Sequence, residues 1–275
     1  MLGGDGHQPA TEPNNPNIVY AQSQEGYLNR IDRTTGEVVN IRPQEGIDEA
    51  YERFNWDSPI LVSHHNPKTI YFGSQRVWKS NNRGDSWTPI SKDLTKDEER
   101  FSLPIMGRVQ SIDNAWDVYA MSTYNTITSI SESKLDSNII YIGTDDGLIQ
   151  STKDGGINWA KMTVDKLPKT PASAFVNDLK TDLFDSQKAY VCLDNHKEGD
   201  FNPYIFKSMD QGKTWKSISS NLPKRTLIWR LVQDPIAKNL FFAATEFGIY
   251  TSVNSGVSWQ KLPGTPNSSF RDLVI

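Results

Sequence analysis

Ser80-Asn-Asn82-Arg-Gly84-Asp-Ser-Trp87, Thr152-Lys-Asp154-Gly-Gly156-Ile-Asn-Trp159, Ser208-Met-Asp210-Gln-Gly212-Lys-Thr-Trp215 and Ser252-Val-Asn254-Ser-Gly256-Val-Ser-Trp259 repeat one pattern, Ser/Thr-x-Asp/Asn-x-Gly-x-x-Trp. A degenerate copy, Asn29-Arg-Ile-Asp32-Arg-Thr-Thr-Gly36, keeps the turn and lacks the tryptophan. An Asp or Asn side chain accepts hydrogen bonds from nearby backbone N–H groups, Gly supplies a positive φ, and the indole packs between strands. Each copy therefore reads as a locked hairpin. Asn82 and Asn254 stand where Asp154 and Asp210 do, so charge is dispensable and the role is structural. A Ca²⁺ loop needs several acidic ligands at alternate positions, and each copy offers at most one or two.

Upstream of each turn lies an apolar-aromatic strand: Ile18-Val-Tyr20-Ala, Ile70-Tyr71-Phe-Gly73, Ile140-Tyr141-Ile-Gly143, Ala189-Tyr190-Val and Phe241-Phe242-Ala-Ala244. The reference aromatics (20, 71, 141, 190, 242) are spaced 51, 70, 49 and 52 residues apart, one repeat of about 50 with a single insertion. A unit of this length, made of short β-branched and aromatic runs bounded by Gly, Asp or Asn, matches one four-stranded propeller blade. The fold class is thus all-β, a propeller of four-stranded antiparallel blades. The blades are expected at 3–45, 55–92, 125–165, 173–222 and 226–264, with an insertion at 93–124 and an extra strand at 268–275. In the third blade, Asp145-Asp146-Gly147 reads as a tight hairpin turn. Helical periodicity is absent except around Lys96 to Arg100.

Two positions strain the pattern. Pro9 interrupts the expected inner strand of the first blade, and Phe270-Arg-Asp-Leu-Val-Ile275 looks like an inner strand without partners. The expectation is an open five-blade arc or an assembly that covers its ends, because a ring closes only by pairing its first blade with its last.

Composition bounds the function. In 275 residues, 36% are hydrophobic, with eight Trp, ten Tyr and eleven Phe, enough for a substantial core. Net charge is -4, without long basic runs, so neither nucleic acid nor an anionic membrane is an expected partner. No apolar stretch reaches the length of a membrane span. The lone Cys192, within Tyr190-Val-Cys-Leu193, forms no intrachain disulfide and reads as a small buried residue. His64 and His65 are adjacent on a strand and point to opposite faces, so they do not share a metal. No metal and no cofactor is expected; no Ser-His-Asp arrangement, phosphate loop or dinucleotide fingerprint is present.

The chain resembles the Asp-box, or bacterial neuraminidase repeat, superfamily, and within it bacterial exported proteins with a sortilin-type propeller that are often labelled glycosyl hydrolases. The resemblance rests on Gly3-Gly-Asp-Gly6, Pro16-Asn-Ile-Val-Tyr-Ala-Gln-Ser-Gln24, Phe54-Asn-Trp-Asp-Ser-Pro59, His65-Asn-Pro-Lys-Thr-Ile-Tyr-Phe-Gly73, Thr144-Asp-Asp-Gly147 and Thr245-Glu-Phe-Gly248, besides the turns. More distantly it is similar to xyloglucan-cleaving endoglucanases built from two propellers. The resemblance implies a secreted or periplasmic location and a larger parent protein, with the remaining blades on both sides.

It also implies a layout in which loops gather on one face and the tryptophan-terminated turns on the other. The loop face would then carry Glu25, Asp57, Asp145, Asp146, Asp194 and Glu246. Trp56 lies beside Asp57, and the insertion brings Trp116, Tyr119 and Tyr124, aromatic rings suited to stacking on sugars or anchoring a protein. Glycoside hydrolysis needs two facing carboxylates; Asp57, Asp145, Asp146 and Glu246 are the candidates, although Asp145 and Asp146 also fit hairpin chemistry. Arg108, Arg230 and Arg271 fall in no recognisable sialidase motif. Two readings follow. The favoured one is a non-catalytic recognition or scaffold module for a protein, peptide or glycan; the alternative is a fragment of a polysaccharide hydrolase.

Overall fold

The computed structural model describes residues 4–105, 108–109, 111, 113–114 and 123–275. Five four-stranded antiparallel sheets follow one another, each with its strands in chain order. The first comprises β1 (Gly6–Glu12), β2 (Asn15–Ser23), β3 (Tyr27–Asp32) and β4 (Val38–Asn40); the second β5 (Ile60–Val62), β6 (Ile70–Gly73), β7 (Val77–Ser80) and β8 (Thr88–Pro89). A small hairpin, β9 (Pro104–Ile105) with β10 (Arg108–Val109), interrupts the series. The third blade is β11 (Ile127–Glu132), β12 (Ile140–Thr144), β13 (Leu148–Thr152) and β14 (Ala160–Thr163), and the fourth β15 (Phe175–Thr181), β16 (Ala189–Asn195), β17 (Asp200–Ser208) and β18 (Lys216–Ser217). The fifth is β19 (Ile228–Gln233), β20 (Phe241–Thr245), β21 (Gly248–Ser252) and β22 (Gln260–Lys261).

The apolar core lies in the seams between blades. Tyr20, Leu28, Val62 and Phe72 join the first blade to the second, and Tyr71, Val77, Ile127 and Ile142 join the second to the third. Tyr141 and Ile149 meet Val176, Leu179 and Phe206; Tyr190, Cys192 and Ile205 meet Ile228, Leu231 and Trp259. The alternation of each strand sends successive side chains to opposite faces, so every central blade feeds two seams. Gly143 shows how close the blades come: a Cβ there would lie 2.1 Å from Val176 Cγ1.

The four tryptophan turns share one hydrogen-bond pattern. The Gly N–H donates to the leading hydroxyl at 2.8, 3.0, 2.8 and 2.9 Å for Gly84, Gly156, Gly212 and Gly256. The Asn82, Asp154, Asp210 and Asn254 Oδ1 atoms each accept the N–H four residues on, at 3.0, 2.9, 2.8 and 2.9 Å. Each turn also reaches the preceding blade. The indoles of Trp87, Trp159 and Trp259 donate to the carbonyls of Ile41, Ile90 and Ile218, whereas that of Trp215 donates to Gly212 of its own turn. The turns therefore lock their hairpins and also clasp neighbouring blades. The degenerate copy is simpler: Asp32 accepts from Thr34 N and Oγ1 at 2.8 and 2.6 Å.

Two expectations need correction. Pro9 sits inside β1, opposite Ala21, rather than breaking the strand. As the innermost strand, β1 has a single neighbour, and an edge strand tolerates the missing N–H. Residues 268–275 form no strand. They lie instead along the fifth blade, with Phe270 N donating to Thr245 O and Gly248 N to Ser268 O. Among the described residues, β1 pairs only with β2 and β22 only with β21, so no edge pairing joins the first blade to the fifth. No helix among the described residues is long and apolar enough to cross a membrane.

Candidate ligand face

Hairpins joining second and third strands meet the connectors that lead into inner strands, and these contacts define one face. Asn55 Nδ2 reaches Thr126 Oγ1 at 2.8 Å and Asp145 Oδ2 at 3.3 Å; Gln22 Nε2 reaches Trp56 O at 3.0 Å. Ser173 Oγ bonds Asn195 Oδ1 at 3.0 Å, and Glu246 N bonds Leu227 O at 3.1 Å. The tryptophan turns contact the opposite side: Arg83, Gly155, Gln211 and Ser255 N–H groups donate to Lys68, Asn138, Gln187 and Asn239 carbonyls in the turns that follow inner strands.

The paired aspartates of the third blade are consumed by this architecture. Asp145, 5% exposed, accepts Thr126 N at 2.8 Å and Thr126 Oγ1 at 2.6 Å, besides Asn55. Burial pushes its pKa up to about 7, against the pull of the Thr126 hydrogen bonds. Asp146 is fully buried, accepting Thr144 Oγ1 and, at 2.6 Å, Lys96 N; burial raises its pKa as well. The two carboxylates thus pin the lead-in loops of the second and third blades to one hairpin. Asp194 is similarly engaged, with His196 Nδ1 2.5 Å away.

Other anticipated residues are more open. Asp57 is exposed, its N–H bonded to Asn55 Oδ1 at 3.0 Å. Glu25 is exposed, at φ 56° in the first hairpin, and Glu246 is half-buried in the last. Trp56 is 38% exposed. Tyr124 is half-buried; burial raises its hydroxyl pKa, and Asp145, Asp146, Glu98 and Glu198 add to the effect. Trp116 and Tyr119 lie outside the described residues. The start of the insertion folds inward, since Leu94 is buried and Asp93 pairs with Arg53 at 2.5 Å.

Sequence reasoning missed one group and set a second aside. Tyr27, at the start of β3, and Tyr51, in the connector between the first two blades, are 55% and 68% exposed. Arg42 lies over the rings of Tyr27 and Phe54 at 5.6 and 4.7 Å. The second group surrounds Arg230 on β19. Arg230 Nη1 is 3.2 Å from buried Asp178, and its Nε is 3.6 Å from Asp272. Burial opposes the Arg230 charge, but Asp178, Asp272 and Asp57 outweigh it and raise the pKa. Arg271 stacks over Trp229 at 3.8 Å, and His196 meets that indole edge-on at 5.9 Å. The signal was the single charge inside Ile228-Trp-Arg-Leu-Val232.

His64 is exposed at the surface, although desolvation by its surroundings lowers its pKa to about 4; His65 Nε2 lies 2.8 Å from Ser133 O. Among the described residues no group of three His, Cys, Asp or Glu side chains converges as a metal site. Cys192 is fully buried, and burial raises its thiol pKa.

No family model matches the chain. It is 26% identical over 149 residues to a xyloglucanase of Paenibacillus sp., covering 48% of this chain and 14% of that protein. It is 28% identical over 103 residues to xyloglucanase Xgh74A of Acetivibrio thermocellus, covering 34% of this chain and 12% of that protein. The matched segments thus span about one-seventh of those relatives or less. Among solved structures, the GH74 xyloglucanase of Xanthomonas campestris superposes with a TM-score of 0.56 at 13% identity, over 96% of this chain and 46% of that one. The Dos1 propeller gives 0.59 at 10% identity, over 98% and 62%. The fold is that of a β-propeller segment, and the sequence likeness is to xyloglucanase propellers.

Proposed function

We propose that this chain is a non-catalytic recognition segment of a larger secreted propeller protein of the Asp-box kind, and that it holds a polysaccharide across its loop face. The observation that carries this reading is the engagement of Asp145 and Asp146. Hydrolysis requires a carboxylate free to exchange a proton with the glycosidic oxygen or with water. These two spend their lone pairs on Thr126, Asn55, Thr144 and Lys96 instead. The exposed rings of Tyr27, Tyr51 and Trp56 supply flat apolar surfaces for sugar faces. The likeness to xyloglucanases makes xyloglucan the first ligand to try. In gels containing xyloglucan the chain should be retarded, and Trp56→Ala with Tyr51→Ala should remove most of the retardation without lowering the unfolding midpoint. Unretarded migration across a panel of β-glucans would count against glycan recognition.

The second reading, a fragment of a polysaccharide hydrolase, is favoured by that same likeness and by the exposure of Asp57. In that case Asp57 serves as one carboxylate, and Asp57→Asn would abolish release of reducing ends.

A further inference from the structure

The first and fourth seams use equivalent residues to opposite effect on the side carrying the tryptophan turns. In the first blade, Tyr20 pairs across strands with Arg30 and donates to buried Glu12 at 3.1 Å. The turn of the second blade then fills the seam. Arg83 grips Glu12 at 2.5 and 2.9 Å, and Asp85 pairs with Arg30 at 2.7 Å. In the fourth blade, Tyr190 pairs across strands with Lys207 and donates to buried Asp182 at 2.6 Å. Here the turn of the fifth blade presents Ser255 and Val257 where the second presents Arg83 and Asp85.

Two consequences follow. Ser255 is too short to fill the seam, and a cleft of about 150 Å³ opens among Lys188, Lys207, Lys238, Tyr190 and Phe184. Val257 cannot neutralise an amine, and Lys207 has no ion pair among the described residues; the Tyr190 ring lies beneath it at 5.7 Å, and Asp182 lines the same cleft. Asp182 is already engaged by Gln233 Nε2 at 3.1 Å, and Lys188 by Asp185 at 2.8 Å. Burial, then the neighbouring charge of Lys188, lowers the Lys207 pKa, against the opposite pull of Asp182 and Asp185. Next to this cleft, sharing Lys207 and Ser255, lies an apolar groove of about 410 Å³ lined by Met209, Ile218 and Val257.

We propose that the seam between the fourth and fifth blades docks an acidic peptide segment, with a Glu or Asp carboxylate on Lys207 and aliphatic neighbours on Met209, Ile218 and Val257. The first seam shows which group is missing, since Asp85 makes the equivalent contact internally. The groove beside the amine is lined by aliphatic side chains, with Phe184 and Tyr190 confined to the adjoining cleft, and an amine next to an aliphatic groove is complementary to a peptide that sets a carboxylate beside apolar side chains.

The test uses the full chain and a capped hexapeptide with one glutamate between leucines, followed by isothermal titration. The unaltered chain should bind it saturably, and more weakly as salt rises. Val257→Asp, which restores the internal carboxylate of the first seam, and Lys207→Gln should each weaken binding by about tenfold or more. The glutamine version of the peptide should lose as much. Lys207 is only half-buried, so Lys207→Gln decides the matter should Val257→Asp lower the unfolding midpoint. No binding by the unaltered chain, or equal binding by Lys207→Gln, would overturn the proposal. So would binding of an oligogalacturonate at these lysines in place of the peptide.

Discussion

The two faces of this propeller segment are built on different principles. On the turn-bearing face, four near-identical motifs satisfy their own backbone groups and carry an indole into or against the preceding seam. On the loop face, no two hairpins are alike: one buries Asp145 and Asp146, another holds Asp194 against His196, and the first leaves Glu25 exposed. Regularity marks the face that holds the blades together, and irregularity marks the face free to specialise. The fourth seam extends the lesson: where the turn of the second blade presents Arg83 and Asp85, that of the fifth presents Ser255 and Val257, and a cleft lies beside Ser255.

The largest expected effect that separates the faces is on stability. Trp259 is 2% exposed, sits in the seam cluster of the last two blades and donates to Ile218 O at 2.8 Å. Trp259→Ala should cost about 3–5 kcal/mol in chemical denaturation. Trp56→Ala, on the loop face, should stay within about 0.5 kcal/mol. Equal losses would break the comparison.

The second effect is electrostatic. The folded pKa of Asp145, about 7, lies above its ordinary value of 3.8. Its contribution to stability is therefore fully present below pH 4 and declines as pH rises toward 7, by an amount on the order of a few kcal/mol. Asp145→Asn should flatten unfolding free energy over that window; an unchanged slope would show that the carboxylate is not held as described.

Third, Gly84 has φ +89° and a Cβ there would meet Ile41 Cδ1 at 2.5 Å, so Gly84→Ala should cost about 1–3 kcal/mol. Smallest is Asp154→Asn. Hydrogen bonds from the Asn158 backbone and side chain and from Thr152 hold the Asp154 pKa down at about 2, so its contribution is present above the ordinary value and lost as pH falls toward 2. Asn already serves at positions 82 and 254. The variant should unfold at the same midpoint at pH 7 and lose less stability below pH 4.

The fold was legible because each blade repeats a local rule, in which turn chemistry and strand alternation both recur about every 50 residues. Pro9 and residues 268–275 were misread because edge strands and unpaired segments depend on the presence or absence of a neighbour, which no local rule encodes. The site was legible only in part. Asp145 and Asp146 could be placed in a hairpin, but their burial depends on Thr126 and Asn55, distant in sequence. Arg230 and its carboxylates Asp178 and Asp272 come from separate segments. The contrast between Arg83 with Asp85 and Ser255 with Val257 was visible in the aligned turns, yet meant nothing until each turn was seen to rest on the preceding blade.

The claim that the loop face recognises without cleaving is tested most directly by incubating the chain with xyloglucan and measuring, in one sample, bound protein and newly formed reducing ends. The account predicts retention of the chain on the polysaccharide with reducing ends at the level of a protein-free control. Reducing ends that accumulate with the chain and vanish with Asp57→Asn or Asp145→Asn would contradict it.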